Sequence, residues 1–205
     1  MDEEDKRHEV SAIARVPRLY MTDWVGAASV NESNILEITH ILSVMTAGEL
    51  EQYGPDESPG VELRHLDIAD EPAAAMLQHL DKQCVWIDDV LTNFRARDGR
   101  QGAIIVHCQQ GISRSAAVIV AYLMKKFDLD FDEAMKELKN SRSIVNMNPG
   151  FQDQLRKHWR VPTGRTTPDR PPRRDTVTSL KTPIKELHGP WDIIDWREDP
   201  EAHWR

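Results

Sequence analysis

The run His107-Cys108-Gln109-Gln110-Gly111-Ile112-Ser113-Arg114-Ser115 constrains this chain more than any other stretch. Before it, Gly102-Ala103-Ile104-Ile105-Val106 is short, apolar and β-branched, which predicts a strand; after it, Ser113 to Lys126 is long and rich in Ala, Val, Ile and Leu, which predicts a helix. Cys108 therefore falls on a strand-to-helix turn. A loop feeding a helix N-terminus offers backbone N–H groups without intrahelical partners, and the helix dipole adds positive charge at the same end, so such a turn receives an anion. That setting also favours the thiolate form of a cysteine, the form that acts as nucleophile. Arg114 carries a planar fork of donors that matches two phosphate oxygens and stays charged at physiological pH. Gly111 lets the backbone turn close to the anion. The Ser115 hydroxyl is placed to donate to the departing thiolate when a phosphorylated cysteine is hydrolysed, and His107 is expected to shape the loop through its ring nitrogens. A Cys and an Arg at this spacing recur by chance. Here the glycine between them, serines on both sides of Arg114, a strand before and a helix after supply the context that such a motif needs.

The same residues carry a resemblance. Val106-His107-Cys108 through Ser115, followed by Ala121-Tyr122-Leu123-Met124, resembles the signature and following helix of the dual-specificity protein phosphatases, cysteine-dependent enzymes that use no metal. The likeness extends upstream to Pro17-Arg18-Leu19-Tyr20 and Ile38-Thr39-His40-Ile41-Leu42-Ser43-Val44, and downstream to Asn148-Pro149-Gly150-Phe151-Gln152-Asp153-Gln154-Leu155. It implies the small atypical type, without the separate kinase-binding domain of kinase-inactivating members. It further implies a pocket shallow enough for phosphotyrosine and phosphoserine or phosphothreonine, a phospho-cysteine intermediate, and no cofactor. By the same resemblance His107, Gln109, Gln110, Gly111, Ile112 and Ser113 form the phosphate-binding loop, and Asn148 supports it by hydrogen bonds; read from the residues alone, Asn148 is equally an ordinary turn residue before Pro149-Gly150. Met147 stands where relatives usually have Pro, and Thr22 where they tend to have Gly.

Ester cleavage also needs a proton for the leaving oxygen, which a carboxylic acid on a separate loop can give before activating water as a base. Val61 to Ile68 reads as a strand and Pro72 suits the first turn of a following helix, so Asp70 lies between them, where it matches the family's general acid. The plain alternative is that Asp70 caps that helix. Asp67 is the reserve, held in the strand with less freedom to reach a substrate.

Around this centre the chain reads as one domain. The helix expected over about 72–97 carries an apolar stripe at Leu77, Leu80, Cys84, Ile87, Leu91 and Phe94. Cys84 is thus a core residue, with a reversible disulfide to Cys108 under oxidation as the sharper alternative. The helix after Cys108 is apolar nearly all round and should be central. Asp130-Phe131-Asp132-Glu133 resembles a capping box, and a last helix should begin near Gly150. Strands alternating with helices imply an α/β fold, a mostly parallel central sheet flanked by helices. The expected organisation is an acidic tail over 1–9, the catalytic domain over 10–160, a Pro/Arg-rich linker over 161–190 and a Trp-rich segment over 191–205. That last segment holds Trp191, Trp196 and Trp204, and is expected either to dock on its own domain or to anchor a protein partner. Thr167-Pro168 and Thr182-Pro183 are dipeptides too common to weigh.

The formal net charge of -8 argues against general nucleic-acid binding. No apolar run is long enough for a membrane span, and Met1-Asp2-Glu3-Glu4-Asp5 lacks the character of a signal peptide, so no membrane is expected and a cytoplasmic or nuclear location is. Two cysteines fit a reducing compartment and exclude a cysteine-built zinc domain. The expected substrate is a phosphorylated protein. Neutral Gln109 and Gln110 count against phosphoinositides, for which relatives often place Lys in this loop, and acidity counts against an RNA 5′-phosphatase. A phosphoglycan phosphatase and a phospho-binding pseudophosphatase remain open, although binding alone needs no thiol.

Overall fold

The computed structural model describes residues 7–29, 36–55 and 59–159. The acidic tail to residue 6, the whole linker and the Trp-rich segment lie outside the described residues. Among the described residues five strands, β1 (Ser11–Ala12), β2 (Leu19–Thr22), β3 (His40–Met45), β4 (Glu62–Asp67) and β5 (Ile104–His107), form one sheet in the order β1-β2-β5-β3-β4. β1 is antiparallel to β2, and the remaining pairs are parallel. Alternation along the strands sorts side chains to two faces. Leu19, Met21, Leu42, Val44, Ile104 and Val106 join the larger core, while Ile41 and Ile105 join a smaller one with Ala27, Ile38 and Ala103. Both faces are therefore buried, as an α/β sheet requires.

Among the described residues six helices alternate with or follow these strands: α1 (Trp24–Ala28), α2 (Ala47–Tyr53), α3 (Leu77–Thr92), α4 (Arg114–Phe127), α5 (Phe131–Ser141) and α6 (Pro149–His158). Every residue of α4 from Arg114 to Met124 is buried, which fixes the loop before it against the centre of the molecule. Asp130 and Glu133 form the expected capping box at the start of α5.

α3 is shorter than its periodicity suggests. Residues 72–76 turn instead of coiling because α6 takes their backbone: Gln154 Nε2 donates to the Ala74 carbonyl at 2.9 Å, and Gly150 packs so close that a Cβ there would stand 2.1 Å from the Pro72 oxygen. At the other end the chain leaves the helix after Thr92, and an isolated bridge joins Arg95 to Gln101. Phe94 still packs inward, edge-on to His40 at 4.5 Å.

β5 lies between β2 and β3, and His107 pairs in register with both Thr22 and Ser43. The carboxyl ends of three parallel strands thus converge where Cys108 begins its loop, the place at which open α/β sheets bind ligands.

Candidate active site

Cys108 leaves β5 with its side chain buried, and the Ser115 hydroxyl donates to its Sγ at 3.2 Å. His107 points into the sheet, its Nε2 2.7 Å from the Ser43 hydroxyl on β3. Burial brings the His107 ring down to about 4, with the Arg114 charge acting in the same direction and the Cys108 backbone against it. The ring is neutral at physiological pH and serves the loop as a hydrogen-bonding strut. Groups outside the loop take up its carbonyls. Trp24 N–H donates to Gln109 O at 3.4 Å, Arg142 Nε to Gly111 O at 2.8 Å, and Asn146 N–H to Ile112 O at 3.0 Å. Carbonyls engaged from outside leave the loop amides for an anion. Gly111 has φ +63°, and a Cβ on it would come within 2.5 Å of the Thr22 carbonyl carbon and oxygen, so the close approach it permits is to β2 as well as to an anion. Gln109 is half-buried and Gln110 exposed.

Arg114 opens α4 and is buried. Its two terminal nitrogens pair with both carboxylate oxygens of Glu49, Nη2 to Oε1 at 2.8 Å, and Nη1 also reaches the Ile68 carbonyl at 3.3 Å. The Arg114 hydrogen bonds hold the Glu49 carboxyl down at about 2, against the effect of its burial and with help from Thr46. Glu49 is not among the residues expected from the sequence. In the structure Thr46 and Glu49 form the capping box that opens α2, and nothing in the spacing Thr46-x-x-Glu49 shows that the same carboxylate also meets Arg114.

Asp70 is brought against the loop. Its Oδ1 accepts from the Ser113 hydroxyl and from Asn148 Nδ2, each at 2.6 Å, while Oδ2 stands 4.0 Å from Arg114 Nε. It does not cap α3, which starts at Leu77 with no side-chain cap. Asp67 is engaged elsewhere, accepting from the Ala47 N–H at the start of α2. Asn148 caps α6, its Oδ1 accepting from the Phe151 N–H at 2.9 Å, and its own N–H donates to the Ser113 hydroxyl at 3.0 Å. Beside Asp70 and Ser113 a depression of about 390 Å³ is lined by Ile112, Met147, Asn148 and Pro149 among others.

Arg142 is a second residue that sequence reasoning missed. Besides Gly111 O it donates to the carbonyls of Glu9 at 2.8 Å and Arg7 at 2.6 Å, and to the Ser11 hydroxyl at 3.1 Å. An arginine at a helix end gives no sequence signal of such a role. Cys84 lies in the larger core, where burial pushes its thiol far up, so it stays protonated.

Residues 19–161 match the family described as Dual specificity phosphatase, catalytic domain. Protein phosphatase Slingshot homolog 3 of Mus musculus is 30% identical over 87% of this chain and 27% of its own length. Dual specificity phosphatase 28 of Homo sapiens is 38% identical over 53% of this chain and 57% of its own. Among solved structures, human tyrosine phosphatase-like serine/threonine/tyrosine-interacting protein superposes with a TM-score of 0.63 at 30% identity, covering 73% of this chain and 94% of that one. Human DUSP28 superposes with a TM-score of 0.60 at 30% identity, covering 72% and 90%. The chain thus spans only part of the curated relatives it matches.

Proposed function

Because the chain belongs to the dual specificity phosphatase family, we propose that it hydrolyses phosphotyrosine and phosphoserine or phosphothreonine in proteins through a phospho-cysteine intermediate. One observation carries the reading: the loop that begins at Cys108 also holds the candidate acid, through the 2.6 Å bond between Ser113 and Asp70. Nucleophile, anion-binding turn and proton donor are thereby parts of one hydrogen-bonded unit.

Cys108 Sγ attacks phosphorus while the loop amides and Arg114 take the charge on the phosphoryl oxygens. Asp70 Oδ1 already accepts two hydrogen bonds, so Oδ2, on the side of Arg114, is the oxygen that carries the proton to the leaving alkoxide or phenoxide. In the second half the same carboxylate takes a proton from water, which attacks phosphorus, and the S–P bond breaks. The electron pair returns to sulfur, where the Ser115 hydroxyl at 3.2 Å stabilises the thiolate. Neutral Gln109 and Gln110 add no positive charge for the further phosphates of an inositol lipid.

A cytoplasmic or nuclear location belongs to the same proposal. It is supported by a chemistry that needs a reduced thiol and by the two cysteines being free. Trp191, Trp196 and Trp204 are the residues through which a protein partner would be held.

The test is hydrolysis of a panel of phosphotyrosine and phosphothreonine peptides, phosphoinositides, RNA 5′-triphosphate and phosphoglycan. Turnover confined to RNA, glycan or lipid sinks the proposal. Cys108→Ser should abolish turnover at every pH, and Asp70→Ala should slow it while substrate still binds. If Asp67→Ala shows the slowed phenotype instead, the acid is misassigned.

A further inference from the structure

We propose that Glu49 is the positioning residue for Arg114, gripping one edge of the guanidinium so that the opposite edge is presented to the phosphate. The inference rests on reading Cys108 and Arg114 as a phosphatase site. A guanidinium has five N–H bonds in one plane, and the fate of each decides what it can still hold. Nη1 has two acceptors, a Glu49 oxygen and the Ile68 carbonyl at 3.3 Å, while Nη2 has one, the other Glu49 oxygen at 2.8 Å. What is left is Nε–H and the Nη2–H beside it. These two are parallel and form the lateral fork, which fits two oxygens of one phosphate.

The remaining geometry agrees. Arg114 Nε is buried without a hydrogen-bond partner, a state that costs free energy unless a ligand satisfies it. Asp70 Oδ2 stands 4.0 Å from that nitrogen, so the open fork looks toward the carboxyl oxygen assigned to protonate the leaving group. A carboxylate on the lateral edge would compete with phosphate; Glu49 instead uses the terminal edge and leaves the lateral one open. Glu49 is itself held, for its Oε2 accepts from the Thr46 N–H at 2.8 Å and from the Thr46 hydroxyl at 3.0 Å in the first turn of α2. The helix-opening capping box is thus also the mount for the phosphate-binding arginine.

The experiment uses the full chain with Glu49→Ala, Glu49→Gln, Arg114→Lys and the Glu49→Ala/Arg114→Lys double variant. It measures kcat and KM on a phosphotyrosine peptide, and the rates at which anionic iodoacetate and neutral iodoacetamide alkylate Cys108. Circular dichroism reports folding. Misaiming a bidentate clamp costs about tenfold or more, so kcat/KM should fall by at least that in Glu49→Ala. The iodoacetate-to-iodoacetamide ratio should fall in parallel, because it reads how well Arg114 receives an anion. Glu49→Gln, which keeps one acceptor but sets an amide NH₂ against a terminal nitrogen, should shift both readouts in the same direction and covers the case in which the alanine variant does not fold. In the Arg114→Lys background, Glu49→Ala should add less than about twofold, the signature of acting through Arg114. Wild-type values of kcat/KM and of the alkylation ratio in the folded Glu49 variants overturn the proposal, as does a full loss that persists when Arg114 is Lys. The alkylation ratio requires no turnover, so a wild-type protein inactive on phosphopeptides would refute the phosphatase reading and leave this test standing.

Discussion

Asn148 Nδ2 lies 2.6 Å from Asp70 Oδ1, tying the residue that caps α6 to the candidate acid on the loop after β4. One side chain thereby holds a helix terminus with its oxygen and the candidate proton donor with its nitrogen. Asn148→Asp separates the two tasks, since Asp is as good a cap but turns a second carboxylate toward Asp70. It should leave the melting temperature within a few degrees of wild type and lower kcat. Asn148→Ala should lose the cap as well, at about 1 kcal/mol. Thermal melts beside kcat for the two variants check this, and equal kcat in Asn148→Asp and wild type would contradict it.

Gly111→Ala should be far worse than its size suggests. The residue sits at φ +63° with its missing Cβ 2.5 Å from the Thr22 backbone, so an alanine strains the loop and drives it off β2. The strain alone is worth about 1–3 kcal/mol, and displacement of the loop should cut turnover by roughly 100-fold or more. Urea midpoints and single-turnover rates are the measurements.

Arg142→Met should destabilise by about 2–5 kcal/mol, because it leaves the buried Gly111 carbonyl and Ser11 hydroxyl without this donor. Arg142→Lys should recover little of this, since a point charge cannot span acceptors that a planar fork reaches together. The loss should appear both in the urea midpoint and in kcat/KM, the latter because Gly111 belongs to the loop.

Acid should unfold the protein partly through His107. Its ring is brought down to about 4 in the fold, against an ordinary value of about 6.5, so the unfolded chain binds the proton that the folded one refuses. The stabilisation is complete above pH 6.5 and is lost as the pH falls toward 4, by roughly 3 kcal/mol in all. Urea midpoints taken from pH 7.5 to 4.5 should show that slope, and His107→Gln should flatten it even if it lowers the plateau.

Local chemistry made the loop and its neighbours readable in advance. A β-branched run followed by an Ala/Val/Ile/Leu run brackets Cys108 whatever else the chain does, and the capping box at Asp130 is complete within four residues. The limits of α3 were not readable. Apolar periodicity continues through Phe94, but the helix covers Leu77–Thr92, because Gln154 and Gly150 of α6 claim the backbone around Pro72 and Ala74. Glu49 was hidden for a related reason: a capping-box glutamate has a sufficient local explanation, so nothing local hints at a partner 65 residues away.

The amino-acid sequence by itself determined the strand-to-helix turn, the thiol and guanidinium on it, the alternating pattern that makes a sheet buried on both faces, and Asp70 as the carboxyl to watch. The turn, its two reactive groups and the alternation follow from spacing and residue type, which act over a few positions; the choice of Asp70 over a plain helix cap came with the family resemblance. The tertiary structure decided which groups hold the turn in shape: Glu49 on one edge of Arg114, Arg142 and Trp24 on the loop carbonyls, and Asn148 and Ser113 on one oxygen of Asp70. These are hydrogen bonds between residues far apart in the chain, and they exist only once parallel pairing has brought the carboxyl ends of β2, β5 and β3 together.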